Sequence, residues 1–258
     1  MKTVLAVALA LLPLSLEGGL TYQFEARTTG VQQTRLAGAV EAEGGRFRID
    51  FRNGDGMLFR NNTYAVTSGS DRVVRVADPA TKTYFELNLD QLLGGGAGLG
   101  QLSDFVKITV DNQRVTTRDE GSGEKIEGYP TRRIVVEASS VVNLDMSGQK
   151  SSMNISLRTE SWTTDRISAD FISFLHRQGS RTGIAGLDKL LEAQTKAAAG
   201  FPLKQVTTLR AVQNGMEVVT TTSASISKIA SRSVPASRFV IPSDYRKVAN
   251  PIEKLRQR

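Results

Sequence analysis

The chain has 258 residues, a formal net charge of +7 at pH 7, 40% hydrophobic residues, one histidine and no cysteine. The lack of cysteine excludes disulfides, thiolate catalysis, thiolate metal sites and a bacterial lipoprotein anchor, which needs a cysteine at its cleavage point. The basic balance, with a sequence pI near 9.8, suits anionic surfaces; no basic run is interleaved with aromatics, so nucleic acid is not an expected partner.

The chain opens on MKTVLAVALALLPLSLEGG, with Lys2 ahead of an apolar run over 4–16 broken only by Pro13 and Ser15. That order predicts a secretory signal peptide over 1–19, cut between 15 and 20. As a helix the run would span roughly 20 Å, short of the roughly 30 Å hydrocarbon core, so a membrane anchor is not expected. The mature protein is expected to be periplasmic or secreted, as one domain over 20–248 with a basic tail over 249–258. Around that tail Arg246, Lys247, Lys254, Arg256 and Arg258 face a single acid, Glu253.

Period-two alternation dominates the rest of the chain. In 46–52, Phe47, Ile49 and Phe51 fall on one face and four charges on the other, a half-buried antiparallel strand. Similar strands are predicted over 21–28, 34–43, 56–60, 63–68, 72–77, 82–89, 106–118, 125–126, 129–138, 151–162, 203–213 and 216–227. Asn214-Gly215 is a type I′ hairpin signal, because both residues tolerate positive φ. Two helices interrupt the strands. The first, over 165–178, puts Ile167, Phe171, Phe174 and Leu175 on one face. The second, over 185–199, carries Leu187, Leu190 and Leu191, with Ile184 just before it and Gly200 as its stop. A short third helical piece is expected over 101–105. The fold class is therefore mainly β with some α (α+β): one curved antiparallel sheet forming an open half-barrel, with two or three helices packed on its concave face.

Four segments of the second half form a recognisable series: GYPTRRIVV at 128–136, ESWTTD at 160–165, GFPLK at 200–204 and VPASRFVIPSDY at 234–245. Their order resembles the DUF4412 family of bacterial secreted proteins, with patterns of the form G-Y-x-T/C-x-x-Y/I-x-V, W-x-T-x-D, G-x-P-L and F-x-I/V-P-x-G-Y. Asp244 stands where the last pattern often has Gly. The resemblance implies a fold similar to the LolA/LolB lipoprotein carriers, an open half-barrel whose concave face is lined by helices. Independently of the family, Trp162 at a strand end is expected to seal the core. Pro235 and Pro242 limit a strand over 239–241 to an edge, with Tyr245 covering that edge.

Catalytic chemistry finds little support. His176 lacks a nucleophile motif, and no metal site or cofactor is expected from one histidine and scattered acids. The glycine loop over 94–100 is not followed by Gly-Lys-Ser/Thr and lacks the dinucleotide spacing, so no nucleotide is expected. Asn154-Ile155-Ser156 matches a glycan-acceptor triplet without further support. What remains is apolar surface. A candidate groove is lined by Ile167, Phe171, Phe174, Leu175, Leu187, Leu190 and Leu191 from the helices, facing Phe47, Ile49, Phe51, Leu58 and Tyr84 from the sheet. Two functions are consistent with it: a non-enzymatic protein that binds or carries a lipid or other apolar ligand, or a structural module of the envelope that binds a protein partner and has a filled core. An anionic membrane surface is a further partner for the basic face. A void of roughly 300 Å³ or more distinguishes a carrier from a filled scaffold.

Overall fold

Alternating apolar and charged residues fold here into one open sheet of 12 strands. The structure is a computed structural model, and it describes residues 18–30, 33–54, 59–67, 73–88, 106–146, 148–168, 192 and 200–251. In chain order the strands are β1 (Leu20–Thr29), β2 (Thr34–Glu43), β3 (Arg46–Gly54), β4 (Tyr64–Thr67), β5 (Val73–Asp78) and β6 (Thr83–Asn88). Five long strands come next: β7 (Val106–Ser122), β8 (Arg132–Met146), β9 (Gln149–Thr164), β10 (Phe201–Gln213) and β11 (Met216–Ser231). A 3₁₀ turn, Ala236–Phe239, and a short β12, Arg246–Lys247, complete the order.

The sheet reads β12-β6-β5-β4-β3-β2-β1-β11-β10-β9-β8-β7. Every ladder is antiparallel except β12 on β6. Most consecutive strands pair through short connections, β9 and β10 pair across a 36-residue one, and the long-range ladder of β1 on β11 joins the two meanders. The Asn214-Gly215 turn has φ of 50° and 77°, so the positive φ expected of a type I′ hairpin is present, and it holds Gln213 opposite Met216.

Residues directly opposite in a ladder share a face, so the registers sort the side chains. On the front face lie Leu20, Tyr22, Phe24, Val40, Ile49 and Phe51. On the back face lie Glu41, Arg48 and Asp50, then Tyr64, Ala77 and Tyr84. Gly38 shows why this register holds. It sits opposite both Phe24 and Phe51, and a Cβ there would lie 2.4 Å from the Asp50 carbonyl and 2.9 Å from the Phe24 ring. Only glycine lets Phe24 lie across β2.

Three apolar clusters form. Phe51, Ala65, Val74, Val76 and Leu87 make the front core of the short strands, with Phe24, Phe47 and Ile49 packed against it. Leu20, Ile167, Phe201 and Leu203 make a second cluster beside β1, flanked by Tyr22, Ile126, Tyr129 and Ile226. On the back face Tyr64, Val66 and Ala77 pack with Tyr84, Ile241 and Tyr245.

Several expectations need correction. The described residues contain no complete α-helix; apart from the 3₁₀ turn, only Glu192 and Pro251 are helical. The helices expected over 101–105 and 185–199 fall outside the described residues apart from Glu192. So does 165–178 beyond its first four residues, of which Asp165–Ile167 form a bend. Helices packed on a concave face are therefore not supported. Residues 239–241 form no strand: the prolines hold a 3₁₀ turn that seats Phe239, 2% exposed, against the back face. Trp162 is only half-buried. It lies on the back face with the Lys204 ammonium 4.5 Å and the Arg133 guanidinium 5.6 Å from its ring centre. Residues 125–126 give only an isolated bridge, Ile126 to Tyr129.

Candidate functional site

Where β1 meets β11, two front-face clusters stop short of each other. Between them is a cavity of about 250 Å³ whose apolar lining includes Tyr22, Phe24, Val40, Ile49, Leu203 and Ile226. The gap has a local cause. Ala224, opposite Ala26 on one side and Gln205 on the other, carries too little side chain to close it. β11 also bulges beside the groove: the register slips between Thr21 and Gln23, and Lys228 takes a φ of 54°. Glu127 holds that bulge by accepting a 2.7 Å hydrogen bond from the Lys228 amide.

Among the described residues, Tyr22 gives the groove its one aromatic hydroxyl. Its ring meets Phe201 edge-on at 5.8 Å between centroids. Burial pushes its phenol pKa up to about 12, and the hydroxyl has no hydrogen-bond partner among the described residues. It therefore stays protonated and free to donate to a ligand carbonyl or headgroup oxygen. Glu25 and Lys204 stand at the rim. Arg27 and Arg35 bond the Glu25 carboxylate and hold its pKa below the ordinary carboxylate range.

The structure unites only part of the expected groove. Phe47, Ile49 and Phe51 share the front face, and Phe51 stacks on Phe59 at 4.7 Å. Ile167 is buried at 1% exposure in the second cluster, on the other side of the cavity. Tyr84 is on the opposite face, directly across from Ala77, in the cluster under Ile241 and Tyr245. Leu58, Phe171, Phe174, Leu175, Ile184, Leu187, Leu190, Leu191 and His176 lie outside the described residues. Tyr22, Phe24, Val40, Leu203 and Ile226 are additions. The alternation of Leu20, Tyr22, Phe24 and Ala26 in β1 could have flagged the first two. Nothing local flags the others, because the groove exists only where β1 pairs with a strand about 200 residues away. Among the described residues no group of three or more His, Asp or Glu side chains converges on a metal position.

An open sheet of 12 strands with an apolar cleft at its central seam defines a mainly-β protein. The chain is a member of the DUF4412 family, described as a domain of unknown function: residues 43–245 match the family model. No curated protein matches the sequence. Among solved structures, one similar chain is an uncharacterized conserved protein from Thermus thermophilus, at 12% identity and a TM-score of 0.39, covering 90% of this chain and 91% of that one. Another is a LolA superfamily protein from Nitrosomonas europaea, at 10% identity and 0.32, covering 87% and 90%. A third is the Pseudomonas aeruginosa MucA/MucB complex, at 9% identity and 0.23, covering 84% and 95%.

Proposed function

We propose that this is an exported, non-enzymatic binding protein that holds an apolar chain, such as part of a lipid, in the front-face groove at the β1–β11 seam. In this reading residues 1–19 are removed as a signal peptide, and the domain over 20–248 works in the periplasm or outside the cell. The observation that carries it is the 250 Å³ cleft lined by Tyr22, Phe24, Val40, Ile49, Leu203 and Ile226. Burying apolar chain against such walls yields roughly 25 cal/mol for each Å² removed from water. The volume lies just under the roughly 300 Å³ lower end of ligand pockets, so the groove takes a segment of one chain rather than a whole lipid. The Tyr22 hydroxyl is the group that would meet the polar end.

Mass spectrometry of organic extracts from the native protein is expected to find a bound lipid, and cis-parinaric acid is expected to fluoresce on binding. Ala224→Phe fills the floor of the groove and is expected to weaken the probe about tenfold, with the urea midpoint unchanged. A wild-type protein that yields no lipid and ignores the probe sinks the proposal.

A second reading, a protein-interaction module of the envelope, draws on one observation. Leu209, Met216 and Val218 are exposed on the front face at the β10–β11 hairpin, at 38%, 71% and 42%. In this reading Met216→Ser abolishes capture of an envelope partner and leaves cis-parinaric acid binding as it was.

A further inference from the structure

On the back face of the long strands, charged and polar side chains pair with one another in most places. Arg118 and Arg158 hold Glu137, while Arg158 and Arg133 hold Glu160. Lys204 pairs with Glu124 at 2.7 Å, and Asn143 bonds both Asp111 and Ser152. One row differs. The ladders place Arg114 of β7, Ser139 of β8, Ser156 of β9 and Arg210 of β10 directly opposite one another. The side chains of Arg114, Ser139 and Ser156, and of Asn112 and Asn154 beside them, have no hydrogen-bond or ion-pair partner among the described residues.

The row is also where this face is hollow. Two adjoining depressions, of about 540 and 480 Å³, share all four residues. The cause is in the sequence: two serines stand between two arginines, so the floor drops while the walls stay tall. Three strand spacings put the arginine Cα atoms about 14 Å apart, near enough for both guanidinium groups to reach one ligand on the serines. Arg210 already holds Glu217, at 2.6 and 2.8 Å, and keeps its remaining N–H donors. Arg114 has no acid. The hollow therefore carries one uncompensated positive charge on a planar fork that fits an oxyanion through two oxygens. The serine hydroxyls and asparagine amides around it both donate and accept, which suits a ligand with hydroxyl groups.

We propose that this row is a binding site for a monoanionic phosphodiester bearing hydroxyl groups, of the kind found in glycerophosphate headgroups, held between Arg114 and Arg210 over Ser139 and Ser156. It lies on the face opposite the apolar groove and does not depend on it.

Calorimetry of the full chain with glycerophosphoglycerol, with inorganic phosphate and with uncharged glycerol tests this at low salt. Glycerophosphoglycerol is expected to bind and glycerol not to. Arg114→Gln is expected to weaken binding about tenfold or more. The pair Ser139→Leu and Ser156→Leu, which fills the hollow without changing charge, is expected to remove it. Lys150→Gln takes one charge from the same face outside the hollow and is expected to change affinity less than about twofold. Equal losses from Arg114→Gln and Lys150→Gln would mean bulk charge alone and overturn the site. So would a wild type that binds neither phosphate probe. Vesicles of equal phosphatidylglycerol and phosphatidylcholine locate the ligand: vesicle binding lost in Arg114→Gln places it on a lipid surface, and soluble binding alone places it in solution.

Discussion

In the short-strand half, β3 to β6, both faces of the sheet are covered; in the long-strand half, β7 to β10, the back face meets solvent. The covering over the short strands is the chain's own C-terminal segment. The Val234 amide donates to Glu43 at 3.0 Å, and Arg238 reaches Glu41 at 2.7 Å and Asp50 at 3.2 Å. The Arg46 guanidinium lies 4.9 Å from the centre of the Phe239 ring, and the Arg48 guanidinium 3.7 Å from that of Tyr64. β12 then closes the β6 edge, helped by Lys247 on Glu86. On the long strands no such segment crosses the back face among the described residues, and arginine and glutamate stems cover it instead. Val135 is only 1% exposed because Arg118 and Glu160 flank it directly. The same period-two pattern thus builds a two-sided core at one end and a sheet with one solvent-facing side at the other.

Breaking the covered half is expected to cost most. Phe239→Ala removes a ring 2% exposed and should destabilise by about 3 to 4 kcal/mol in urea unfolding; a loss under about 1 kcal/mol would show that the C-terminal segment merely rests on the sheet. Gly38→Val comes next, at about 2 to 3 kcal/mol, because its Cβ meets backbone that cannot rotate away.

The contrast between the halves was only half legible in the sequence. Alternation placed most strands, and Asn214-Gly215 fixed one hairpin, because both signals are local. Tyr84 was misplaced because apolar residues stand at 84, 85 and 87, so β6 offers two faces; pairing with β5 sends Phe85 and Leu87 to the front and Tyr84 to the back. Phe239 and Ile241 read as an edge strand because nothing in that stretch records Arg238 and its acids, Glu41 and Asp50, 197 and 188 residues earlier. The groove needs the β1–β11 pairing, a contact of the same range. The hollow between Arg114 and Arg210 needs three ladders in register at once.

Acid should weaken both halves. Lys247 lowers the pKa of Glu86, and Arg133 that of Glu160. A carboxyl whose folded pKa is depressed adds stability above its unfolded value, and that stability is lost as pH falls through the folded value. Unfolding free energy is therefore expected to fall below the ordinary carboxylate range, and Glu160→Gln to flatten that fall in urea titrations between about pH 5 and 3. An unchanged slope would mean that the ladder contributes no proton linkage.

The smallest effects separate buried polarity from exposed charge. Ser140, 5% exposed on the front face of β8, has a hydroxyl with no partner. Ser140→Ala is expected to stabilise by about 1 kcal/mol, since it removes a desolvated group that bonds nothing. Arg118→Gln, on the back face with a side chain 54% exposed, is expected to change stability by less than about 0.5 kcal/mol despite the loss of two ion pairs, because water and salt screen them. If Arg118→Gln instead costs as much as Phe239→Ala, the ladder holds the open half as firmly as the C-terminal segment holds the covered one. The back face would then be a structural surface rather than one left free for a ligand.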